Sequence, residues 1–89
     1  ANHVWGSAVA VAVNLHLLTA MPDLPGGLHP WTPMLEYDTT PNLFRDQLAA
    51  EPLHLDRQIQ ESRGCARAPE RPGIGVEPEP AFLSKYRIA

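Results

Sequence analysis

Apolar and polar positions are unevenly distributed along this chain. Between Val4 and Ala20 only small residues and two polar side chains, Asn14 and His16, interrupt an apolar run. Val9, Val13, His16, Leu17 and Ala20 fall at helical spacing, Ser7 can cap the first turn, and Pro22 stops the run soon after its end. Residues 8–13 alternate strictly between Ala and Val, which is also a strand pattern. Length decides between them, because about 14 residues exceeds a typical strand. The spacing therefore predicts a helix over 7–20. Its lack of polar residues before Asn14 predicts burial on more than one side.

Beyond that helix the pattern breaks up. Pro25-Gly26-Gly27 and Pro30 mark 23–33 as loop. Met34–Tyr37 reads as a short strand. Asp38–Asn42 is turn-rich and can cap a short helical segment over 43–49. Leu53 and Leu55 alternate with His54, which predicts a short strand over 51–55, and 56–71 has too little periodicity for anything but loop. Pro72-Gly73-Ile74-Gly75 is expected to turn tightly, since glycine tolerates positive φ. A last helical turn over 81–87 would put Phe82 and Tyr86 on one face. Helix, loop, short strand and extended tail do not make a self-contained layer architecture.

Composition narrows the function classes. The 89 residues allow one small domain at most, and ten prolines rule out long regular elements around 22–41 and 69–80. The net charge is −3, and no Lys or Arg occurs before Arg45. Without a basic field, nucleic-acid binding is excluded as a reading. The apolar run is shorter than the roughly 20 residues of a membrane span and lacks the positive lead-in of a secretory signal, so no membrane role is expected. Cys65 is the sole cysteine, so no intrachain disulfide forms, in keeping with a cytoplasmic location. Its polar surroundings supply no partner base. The chain starts with Ala inside the lead-in to a helix, which reads as a processed or truncated start.

Two residues stand where chemistry could occur. His3 directly precedes the apolar helix, and in a β/α unit it would end the preceding strand, where barrel enzymes build their sites. Histidine can take and return a proton near neutral pH. Glu36 ends the apolar run Met34-Leu35, and partial desolvation there would favour a protonated, hydrogen-bond-donating carboxyl. On local features alone, an ordinary loop histidine and a solvated strand-end glutamate describe the pair as well. Trp5 and Trp31 are candidates to line a pocket, and Asp38 to position a loop or substrate. His16 on the helix reads as a structural hydrogen-bonder. His29 and His54 have no partner at metal-ligand spacing, so no zinc site is expected.

Four motifs in order change the weight of these readings. His3-Val4-Trp5-Gly6-Ser7, Leu15-His16-Leu17-Leu18, Leu35-Glu36-Tyr37-Asp38 and Pro72-Gly73-Ile74-Gly75-Val76-Glu77 together resemble the C-terminal end of mandelate racemase-like enzymes and acid-sugar dehydratases of the enolase superfamily. The match is weakest over 57–68. The resemblance implies an α/β fold: the terminal part of a (β/α)-barrel, comprising the end of strand 7, helix 7 and strand 8, plus an extended tail. Residues 1–50 would be the last barrel units. Residues 51–89 would be a tail packed against the barrel and capping domain, not a complete domain.

It also implies removal of the proton α to a carboxylate, with Mg2+ stabilising the enediolate, in dehydration or racemisation of a sugar acid. His3 would be the base, or the acid assisting a leaving group, and Glu36 would hydrogen-bond the substrate carboxylate as charge develops. The magnesium carboxylates on strands three to five, the lysine on strand two and the Asp that orients the His on strand six have no counterparts here. The chain alone is therefore expected to bind no metal and to be inactive, and the complete enzyme to be a homo-oligomer. The competing expectation is a small stand-alone interaction module that oligomerises through the apolar helix 7–20.

Overall fold

A computed structural model describes residues 2–3, 5–21 and 33–89. The elements are β1 (Asn2–His3), α1 (Ala8–Ala20), β2 (Leu35–Glu36), α2 (Leu43–Gln47), α3 (Leu55–Glu61) and α4 (Pro80–Lys85). β1 and β2 pair in parallel, with Asn2 opposite Leu35 and His3 opposite Glu36. Parallel neighbours need a crossover, and α1 lies between them in sequence, so β1, α1 and β2 form a minimal strand–helix–strand unit. Among the described residues no other strand joins this pair.

α1 starts where the sequence predicts. Ser7 is its N-cap and accepts from the Ala10 amide at 3.5 Å, and the Met21 amide closes the far end on the Leu18 carbonyl. Asn14 fits an apolar helix by donating to the Ala10 carbonyl at 2.8 Å, which satisfies its amide locally. The inner face of α1 buries Ala8, Val11, Ala12, Leu15 and Leu18. Val11 and Leu15 form a core cluster with Leu55, against which Leu35, Tyr37 and Leu53 pack. The expected burial on more than one side is not met: Val13, Leu17 and Met21 are 44%, 54% and 52% exposed.

The second half corrects two expectations. The strand expected over 51–55 does not form, and the loop expected from 56 contains α3. His54 adopts φ 53°, a left-handed conformation that reverses the chain and starts α3 at the buried Leu55. A two-leucine alternation carries too little pattern to specify a strand, and burial of Leu55 against Val11 and Leu15 outweighs it. The tail is accordingly not extended, since α3 and α4 both lie in it. The turn at 72–75 forms with Gly73 and Gly75 at φ 66° and 77°. A Cβ on Gly75 would come within 2.5 Å of the Pro69 Cβ, so this glycine is required by space as well as by conformation.

The tail folds back on the first half. Ala50 donates to the Glu77 carbonyl and Glu79 to the Leu48 carbonyl, around an isolated antiparallel bridge between Ala49 and Pro78. Phe82 packs on Phe44 edge-to-face and on Tyr86, with ring centroids 5.3 and 4.7 Å apart. The radius of gyration is 14.7 Å, against about 12 Å for a compact domain of this length. The core is small and the shape elongated.

Candidate active-site edge

The strand pair decides where the candidate residues stand. Side chains alternate along a strand, and register partners in a parallel pair project from the same face. Leu35 and Tyr37 turn towards the core beneath α1. Glu36 therefore faces the other way, and so does its partner His3. Adjacent strands run about 4.8 Å apart, so an imidazole and a carboxyl sit side by side on the face that α1 leaves bare. Both are exposed.

Asp38, two residues past Glu36, is committed locally. Its Oδ1 accepts from the Thr40 amide and hydroxyl, each at 2.8 Å. These bonds, the backbone one first, hold its carboxyl below the usual range, with smaller contributions from Arg45 and His3. Burial pushes the Tyr37 phenol up, helped by the nearby Asp56 carboxylate, so Tyr37 stays neutral.

Two residues that the sequence did not single out organise this edge. Arg45 Nη2 donates to the Thr40 carbonyl at 2.6 Å and Nη1 to the Asp38 carbonyl, while Nε pairs with Asp46 at 2.9 Å. The Arg45 bond is the main reason the Asp46 carboxyl lies low. Asn42 caps α2 by accepting from the Phe44 and Arg45 amides at 3.1 and 3.2 Å, and its Nδ2 reaches the Gly6 carbonyl at 3.3 Å. It thereby links the segment after β2 to the segment after β1. Asn42 preceding a short helical run signalled the cap; nothing local signalled the bond to Gly6.

The remaining candidates are dispersed. Trp5 is 72% exposed, and Trp31 and His29 lie outside the described residues. His16 makes the structural bond expected of it: Nε2 lies 2.9 Å from the Ile74 carbonyl, which only accepts, so Nε2 carries the proton. His54 serves the turn into α3. Cys65 is exposed. An apolar cavity of about 650 Å³ lies between α1, β2 and α3, lined by Leu15, Leu18, Met34, Tyr37 and Cys65 among others, and neither His3 nor Glu36 contributes to it. Among the described residues no group of three His, Cys, Asp or Glu side chains could hold a metal ion, and no helix is long and apolar enough to cross a membrane.

A strand–helix–strand unit with a histidine and a glutamate at paired strand ends fits the end of a larger α/β enzyme, and comparison with known proteins agrees. The chain is 34% identical over 86 residues to the D-galactarolactone cycloisomerase of Agrobacterium fabrum. That alignment takes in 97% of this chain and 21% of the relative, so the chain spans about a fifth of the length of the curated protein it matches. No family model and no solved structure matches it. Over those residues the chain is similar to the mandelate racemase-like enzymes of the enolase superfamily.

Proposed function

We propose that this chain is the C-terminal segment of an enolase-superfamily enzyme that removes the proton α to a carboxylate in a sugar acid or its lactone. The observation that carries the reading is the register of the strand pair, which sets His3 beside Glu36 on the face turned away from α1. In a β/α-barrel that face is the interior, and β1, α1 and β2 would be strand 7, helix 7 and strand 8. His3 would take the α-proton or return one to the product. Glu36 would donate a hydrogen bond to the substrate carboxylate as negative charge develops on it. A group aimed at charge that appears only in the transition state raises turnover rather than binding. The relative is named as a cycloisomerase of a sugar lactone, which supports a sugar-acid or lactone substrate and an isomerisation outcome.

The described residues do not by themselves fit the magnesium ion that the superfamily implies, since no three of them form a ligand set. Magnesium favours octahedral oxygen ligation, and its carboxylates would come from elsewhere in the complete enzyme. The tail would seat against the barrel and capping domain, and the 89 residues alone would be inactive.

Exchange of the substrate α-proton with solvent deuterium, followed in the complete enzyme, tests this reading. His3→Asn and Glu36→Gln should each lower the exchange rate by about 10²-fold or more. Exchange at the wild-type rate in both variants would sink it.

The exposed stripe Val13, Leu17 and Met21 supports the second reading, an interaction module that associates through α1. Sedimentation and a thermal melt of the 89-residue chain separate the two. A cooperative melt from a defined dimer favours the module, and a loosely ordered or aggregating species favours the enzyme segment.

A further inference from the structure

One charged side chain beside the candidate site has no part in the proton transfer proposed above. The Arg45 side chain is only 10% exposed. It gives Nη1 to the Asp38 carbonyl, Nη2 to the Thr40 carbonyl and Nε to Asp46, and its guanidinium carbon lies 5.4 Å from the Tyr37 ring centroid. Tyr37, Asp38 and Thr40 are the first, second and fourth residues after Glu36. The ladder sets the face from which Glu36 projects, but β2 ends there. The backbone that leads out of Glu36 is held by residues 37–40, so what fixes that turn helps to fix the carboxyl.

We propose that Arg45 is the positioning residue for Glu36. Its planar fork holds two carbonyls at once while its flat face covers Tyr37. A lysine has the charge but neither the fork nor the stacking plane. Asp46 fixes the fork's third side. The Arg45 amide also bonds Asn42, whose side chain reaches Gly6, three residues past His3. The Arg45 side chain thus holds the loop after Glu36, while the Asn42 side chain, bonded to the Arg45 amide, ties that loop to the His3 segment. The inference rests on the reading of Glu36 as the substrate-carboxylate ligand.

The test uses the complete enzyme and compares turnover with fold stability. Arg45→Met should lower kcat for α-proton exchange by about 10- to 100-fold, the usual cost of displacing a catalytic group by about 1 Å. KM should change far less, because Glu36 acts mainly in the transition state. Arg45→Lys, the milder variant should Arg45→Met fail to fold, should still lose about tenfold in kcat while keeping most of the melting temperature. Guanidinium added at sub-denaturing concentration should restore part of the lost turnover in Arg45→Met. Arg57→Met, which removes an exposed contact with Glu61 at 4.0 Å, is the control and should match wild type. A merely structural Arg45 would lower the melting temperature and leave kcat per folded molecule unchanged, and that outcome in Arg45→Lys overturns the inference. Glu36→Gln separates the two failures. An inactive Glu36→Gln with a fully active Arg45→Lys sinks the positioning role alone. A fully active Glu36→Gln sinks the role of Glu36 and the positioning role with it.

Discussion

The two strand ends differ in how each is held. After β2, the chain from Tyr37 to Asp46 is knit by its own side chains: Asp38 to Thr40, Arg45 to Asp38 and Thr40, Asn42 to α2, and Asp46 back to the Asn42 amide. After β1, Trp5 and Gly6 run exposed or half-buried, and the bond from Asn42 to Gly6 is the tie the described residues supply. Among the described residues no hydrogen bond fixes the His3 imidazole. The backbone after Glu36 is thus held by sequence-local groups, whereas the backbone after His3 has a single such tie, and neither side chain makes a hydrogen bond among the described residues. In the enzyme proposed above, a carboxylate on another strand would orient the histidine.

Experiments on the complete enzyme can break or sharpen this contrast. The largest effect should come from Leu15→Ala. Leu15 is 4% exposed and joins α1 to Leu55, so its truncation undermines both strand ends at once, at about 2–5 kcal/mol. A lowered melting temperature is the expected readout; an unchanged melt would mean that the core lies elsewhere. Asn42→Ala should cost about 1 kcal/mol through the lost cap. It should speed amide exchange around Gly6 more than around Thr40, because it cuts the link and spares the Arg45 clamp. Equal acceleration on both sides would erase the contrast. The smallest effect should be an acid one. Asp38 and Asp46 both titrate below their ordinary value of 3.8, so their contribution is fully present above that value and is lost as pH falls through the lower folded-state values. NMR titration should find the 38–46 loop intact at about pH 4 and loosening only below it, with α1 shifts unmoved.

How much of this was legible in the sequence depends on how local each cause is. α1 could be read from its apolar run and Ser7, and α4 from the Phe82/Tyr86 spacing, because caps and periodicity act within a turn or two. β2 was legible as an apolar run, two residues longer than the strand that forms. α3 was not, because a left-handed His54 and the Gln58 bonds to the Leu53 carbonyl and Arg67 amide decide it, and none of these leaves a periodic trace. His3 and Glu36 drew notice as strand-end residues. Their pairing depends on register across 33 positions, which no local pattern encodes. Arg45 looked like one arginine among several, since its partners are backbone carbonyls that every sequence possesses.

The strand pair has one further property. Each of its strands has a single hydrogen-bonded neighbour among the described residues, so the pair carries an open edge on either side. Each edge presents amide and carbonyl groups in the spacing that another strand would read, and a barrel has room for one continuation on each side. In the barrel proposed above the segment would be one stave of a cask: its two margins are directional, and backbone geometry alone would tell a complementing chain which side of it to meet.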